Sequence, residues 1–132
     1  LTGFMEVAIM LDLNNTHIVR LCGWGVEDQI LYIITELVPG QTLSSFVQMA
    51  KYIDLSTMGL EKILMGIAQG LRYLEARKLV HGNLAAQHIF LDKDKTPKVS
   101  LAVLLYHYTS TYFSSLFVIL VFVNGNHRVV DI

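Results

Sequence analysis

The chain has 132 residues, with ten Lys and Arg against eleven Asp and Glu, a formal net charge of −1 and 53% hydrophobic residues. That length makes one ordinary domain, and the balanced, intermixed charge provides neither the basic footprint of a nucleic-acid binder nor a polybasic membrane patch. The single Cys22 forms no internal disulfide and reads as a lone buried thiol, and the five histidines, His17, His81, His88, His107 and His127, lack tight metal-ligand spacing, so neither an oxidising compartment nor zinc is expected.

Leu1 is followed by no charged n-region and short apolar stretch, so no signal peptide is expected at this end. Composition changes near Ser100, beyond which the only charged residues are Arg128 and Asp131. Residues 4–13 carry Met5, Ile9, Met10 and Leu13 around Glu6, the pattern of a helix with one acidic residue on a mostly apolar surface. Residues 18–24 and 30–35 are β-branched or aromatic runs separated by residues 25–29, which predicts a β-hairpin. Pro39-Gly40 breaks that pattern, and a short helix is predicted over residues 42–50 with its cap at or beside Thr42.

A longer helix, capped by Ser56 or Thr57, runs to about Arg77. Its apolar positions Leu60, Ile63, Leu64, Ile67, Leu71 and Leu74 recur at helical spacing and predict one buried face, while Arg77 and Lys78 place positive charge at the negative end of the helix dipole. A loop over residues 79–88, a strand at 89–91, a charged turn at 92–95 and a strand at 97–100 complete this part.

The loop holds the most specific stretch of the chain, Val80-His81-Gly82-Asn83-Leu84-Ala85-Ala86-Gln87-His88-Ile89-Phe90-Leu91. It resembles the catalytic loop of tyrosine kinases, V-H-R-D-L-A-A-R-N-I-L-V, at His81, Leu84, Ala85, Ala86 and Ile89. The resemblance extends over about residues 4–100: residues 4–10 are similar to the αC helix, 16–21 to the entry of the next strand, 33–38 to the hinge between the lobes and 67–75 to the helix that leads into the catalytic loop. It implies an α/β (α+β) fold, a partial two-lobed protein-kinase-like fold made of the end of the N-lobe and the start of the C-lobe, about half of a complete kinase of roughly 250 residues.

The resemblance also assigns roles. Glu6 stands where the αC partner of the strand-three lysine would be, Thr35 at the gatekeeper position, and the backbone of Glu36 and Val38 where it would face an adenine. His81 is the loop histidine, Asn83 stands at the position of the catalytic aspartate, and His88 and Leu101 occupy the two metal-ligand positions. Phosphoryl transfer needs a base for the hydroxyl nucleophile and oxygen ligands for magnesium. An amide has no useful basicity, an imidazole is a poor partner for hard magnesium, and Leu101 supplies no carboxylate. Two such losses suffice to remove ordinary turnover, so no catalysis is expected, and ATP and magnesium are cofactors by family resemblance only. His81-Gly82-Asn83 is also similar to the loop of the Janus-kinase pseudokinase domains, which implies a regulatory role toward a protein partner or a companion kinase domain.

The tail over residues 101–132 has three readings. Residues 101–123 are uncharged and, at about 23 residues, long enough to span a bilayer, although residues 106–111 put a polar band near the middle. Alternatively, residues 117–123 and 127–130 form a hairpin across Asn124-Gly125, or the tail is foreign to the kinase-like part, as a translated intron would be. If it spans, Lys93, Lys95 and Lys98 outweigh Arg128 and keep residues 1–100 in the cytoplasm. The chain is thus expected to be a degenerate tyrosine-kinase-like fragment, cytoplasmic, and membrane-anchored on the spanning reading of its tail, with a binding or regulatory role. The alternatives are an ATP-dependent protein tyrosine kinase with an unusual loop and a non-functional product of a truncated gene.

Overall fold

The computed structural model describes residues 8, 10–49, 57–101 and 117–123, with backbone alone at 57, 58 and 117–123. Mixed helices and strands confirm the α/β class. The chain forms two compact units, one from residues 1–14, 20–37 and 102–132 and the other from 15–19 and 38–101.

In the first unit, β1 (Leu21–Glu27) and β2 (Ile30–Glu36) form the predicted hairpin. Its loop is tighter than the five residues expected: only Asp28 and Gln29 lie outside the strands, with φ of 50° and 64°. Positive φ at both central residues is the conformation whose twist matches paired strands, here achieved without the Asn-Gly or Asp-Gly signature. Register shifts between Leu21, opposite Thr35, and Gly23, opposite Ile34, leaving Cys22 at a bulge. Cys22 is accordingly half-buried rather than buried. Leu21, Leu31, Ile33 and Ile34 are buried, as are Met10 and Leu13. Ala8, Met10 and Leu11 are helical, as the pattern over 4–13 predicts, while Glu6 lies outside the described residues.

β6 (Phe117–Val123) runs parallel to β2 in continuous register, from Ile30 opposite Phe117 to Glu36 opposite Val123, so the sheet order is β1-β2-β6. Residues 101–123 are therefore not one spanning helix, and among the described residues no helix is long and apolar enough to cross a membrane. The hairpin reading is right that 117–123 is a strand; its proposed partner at 127–130 lies outside the described residues.

The second unit holds β3 (Gln41–Thr42), α1 (Leu43–Met49), α2 (Thr57–Ala76), a 3-10 turn (Ala86–His88), β4 (Ile89–Leu91) and β5 (Pro97–Val99), with an antiparallel sheet of order β3-β4-β5. Thr42 caps α1 as predicted: its Oγ1 accepts from the Ser45 N–H at 3.1 Å. Ile18 and Val19, expected in the first hairpin strand, instead run beside β5, where the Val19 N–H donates to the Val99 carbonyl at 2.9 Å and the Val99 N–H to the His17 carbonyl at 2.8 Å. This satisfies backbone groups of a segment buried at Ile18 and Val19.

α2 packs on β5, and its buried face differs from the predicted one. Ile63, Ile67 and Leu74 are buried, but Leu64 is 56% exposed. Gly66 and Gly70 take its place on the inner face, bringing the helix backbone close to His17 and Pro97. The helix closes through a paired bond pattern, the Leu79 N–H to the Leu74 carbonyl at 3.0 Å and the Lys78 N–H to the Glu75 carbonyl at 2.9 Å, with Lys78 at φ 60° where glycine is the usual residue. In the turn between β4 and β5, Asp92 Oδ1 accepts from the N–H groups of Asp94 at 2.8 Å and Thr96 at 2.9 Å. That arrangement fixes the charged turn where the sequence places it.

Candidate functional site: the loop over residues 79–88

The Schellman end of α2 delivers the chain into the loop, and the 3-10 turn returns it to β4. Both ends of the loop are tied to one residue, Ser100, at the end of β5. The Nε2 of His81 lies 2.8 Å from the Ser100 carbonyl, and the Ser100 N–H donates to the His88 carbonyl at 2.8 Å. A carbonyl can only accept, so Nε2 carries the ring proton; Nδ1 is then the acceptor for the Asn83 N–H at 3.2 Å. His81 is thus a buried, neutral imidazole with both nitrogens engaged in holding the loop. Its bonds serve structure, leaving no free ring nitrogen for a substrate.

Asn83 is exposed and Leu101 is buried. Between His81 and Asn83, Gly82 has φ 74°, a region that disfavours side chains, and a Cβ placed there would meet nothing within 4 Å. The space for a larger residue is present, but the backbone conformation opposes one.

His88 behaves differently from His81. Its backbone N–H donates to the Ala85 carbonyl at 2.9 Å, closing the 3-10 turn, but both ring nitrogens are buried without a hydrogen-bond partner. Burial, and after it the neighbouring His81, push the imidazole pKa below its ordinary value. Among the described residues, no group of three or more His, Cys, Asp or Glu side chains is placed to hold a metal ion.

The remaining predicted positions fall elsewhere. Thr35 is buried near the end of β2. Glu36 is bound to Arg20 twice: its N–H donates to the Arg20 carbonyl at 3.0 Å, and its Oε1 accepts the Arg20 N–H at 3.0 Å. Val38 is half-buried in the second unit. The sequence reading missed Ser100 as the anchor of the loop, and also the contact of Gly66 and Gly70 with His17. The spacing Gly66-x-x-x-Gly70 was a visible sign of close approach on one helix face.

Comparison with known proteins agrees with this frame. A model described as protein tyrosine and serine/threonine kinase matches residues 2–114. Megakaryocyte-associated tyrosine-protein kinase of Rattus norvegicus is 37% identical over 95 residues, which are 72% of this chain and 20% of that protein. Tyrosine-protein kinase csk-1 of Caenorhabditis elegans is 34% identical over 95 residues, 72% of this chain and 18% of that protein. Tyrosine-protein kinase Fer of Rattus norvegicus is also 34% identical over 95 residues, 72% of this chain and 11% of that protein. The chain therefore spans a fifth or less of the length of these relatives. With the loop, its supporting helix and strands, and the match over residues 2–114 in agreement, the chain belongs to the protein tyrosine and serine/threonine kinase family.

Proposed function

We propose that residues 1–100 are a kinase-family segment without phosphotransfer activity, whose role is to bind or regulate a protein partner or a companion kinase domain, in the cytoplasm. One observation carries the reading. The loop is held in place by a neutral His81, yet the exposed side chain it presents at the position of the family's base is the amide of Asn83. An amide removes the general-base contribution, worth on the order of 10²–10⁴ in rate. The donor set also fails to fit magnesium: a half-buried imidazole at His88 and a buried alkyl group at Leu101 offer no oxygen. The hinge positions Thr35, Glu36 and Val38 supply at most an adenine contact, so ATP should bind more weakly than about 1 mM. β6 supports a structural part for the tail over residues 101–132, as an added strand on β2.

The test is phosphorylation of an acidic tyrosine polymer by the purified chain with ATP and magnesium, run beside Asn83→Ala, with thermal shift as the readout for nucleotide. Background transfer equal in both proteins, and no shift with ATP at tens of micromolar, is the expected result. Transfer by the wild-type chain that Asn83→Ala abolishes would overturn the proposal and favour the reading as a tyrosine kinase with an unusual loop.

A further inference from the structure

On the outer side of α2, Leu64 and Met65 are large apolar side chains that are 56% and 58% exposed. Beside Met65, the helix and the segment at His17 bound an open cavity of about 480 Å³, a size typical of ligand sites. Gly66 and Gln69 complete its wall, and the exposed Glu61 and Lys62 also line it. We propose that this cavity seats a tryptophan side chain presented by a protein partner.

The argument starts from the state of His17. Its ring lies against the bare backbone of Gly66, where an added Cβ would come 2.9 Å from Cε1 and 3.0 Å from Nδ1. Nδ1 donates to the Pro97 carbonyl at 3.0 Å, so in the neutral ring Nε2, bonded to that same Cε1, is an acceptor. Nε2 is not buried and has no partner among the described residues. The wall of the cavity thus carries a fixed lone pair that a ligand N–H can meet.

The other lining groups narrow the ligand. A thioether such as that of Met65 adapts its shape and packs favourably on aromatic rings. The Lys62 ammonium complements the negative face of such a ring, while a donor on the positive ring edge meets Nε2. The Glu61 carboxylate opposes an anionic ligand. Phenylalanine or leucine would cover Nε2 without pairing it and leave an acceptor unsatisfied. Tyrosine would pair it, but its hydroxyl also carries lone pairs, which Glu61 repels; an indole N–H is a donor alone. Tryptophan is also the kind of anchor on which protein interfaces concentrate their binding energy. Among the described residues no group of three or more His, Cys, Asp or Glu side chains is placed for a metal ion, so His17 and Glu61 do not make a metal site.

The partner rests on the reading above that the chain binds a protein, whereas the cavity can be tested without nucleotide or phosphotransfer. N-acetyltryptophanamide is titrated into the complete ¹⁵N-labelled chain at about pH 8, above the ordinary histidine value, and amide shifts are followed by NMR. The Gly66 and Gln69 amides should shift saturably at millimolar concentrations of the probe. Its indole-N-methyl derivative, which lacks the donor, should bind about fivefold more weakly, the worth of one hydrogen bond. Met65→Ala, at an exposed position, should weaken binding about threefold, while Val80→Ala, on the loop and 80% exposed, should bind as wild type does. Absence of shifts at Gly66 and Gln69, equal affinity for the methylated probe, or unchanged binding by Met65→Ala overturns the proposal. Free indole binding more tightly than the amide would assign the cavity to a small molecule and overturn it as well. Each of these failures leaves the reading of the loop intact, and phosphotransfer by the chain would refute that reading without touching the cavity.

Discussion

Gly66→Ala tests the packing that holds the second unit, and the structure sets both sides of its ledger. Alanine is the better helix former by about 1 kcal/mol, and burying a methyl group adds about 0.8 kcal/mol in its favour. Against this, a Cβ on Gly66 would lie 2.5 Å from Pro97 Cγ, 2.9 Å from His17 Cε1 and 3.0 Å from His17 Nδ1. The proline ring is fixed to the backbone of β5 and cannot swing aside. His17 is restrained as well, because its Nδ1 donates to the Pro97 carbonyl at 3.0 Å. Overpacking of this kind costs about 1–3 kcal/mol, and losing the hydrogen bond costs about 1 kcal/mol more. The clash should win, with a net destabilisation of up to about 2 kcal/mol. Urea unfolding followed by circular dichroism measures it, with Met65→Ala as the control: Met65 is 58% exposed on the same helix, and its truncation should change stability by no more than about 0.5 kcal/mol. A Gly66→Ala protein clearly more stable than wild type, as helix propensity and methyl burial alone would make it, would show that α2 does not approach His17 and Pro97 this closely.

Two further outcomes follow from the backbone. Lys78 at φ 60° carries a Cβ where the helix end favours glycine, so Lys78→Gly should stabilise the second unit by about 0.5–1 kcal/mol, measured by the same unfolding; a loss of stability would contradict the left-handed helix end. Ending the chain at Ser100 removes β6 and leaves β1 and β2 as a two-stranded hairpin, which is marginal alone; exchange at the β2 amides should accelerate while α2 stays protected. Unchanged protection across β2 would mean that β6 contributes nothing to that sheet.

The features legible in the amino-acid sequence are those that a few neighbouring residues settle among themselves. The β-branched runs around Asp28-Gln29, the Thr42 cap, the helical spacing from Ile63 to Leu74 and the turn organised by Asp92 depend on φ preferences, side-chain caps and periodicity within a handful of positions. The frame around His81 was legible for the same reason, as a contiguous string. What the tertiary structure decided are pairings between distant segments. His17 and Pro97 are 80 positions apart, yet their contact selects Gly66 and Gly70 over Leu64 for the buried face. Ile18 and Val19 have strand character whichever neighbour they join, and only the position of Val99 assigns them to the second unit. β6 has the composition of a strand, but its parallel register on β2 depends on where that edge lies. The same holds for the chemistry of the loop. Sequence places two histidines there, but Ser100, brought in by β5, fixes the tautomer of His81, and burial of the ring nitrogens without a partner lowers the pKa of His88. Tautomer and protonation state are properties of a surrounding assembled from several segments, which no single stretch of the chain contains.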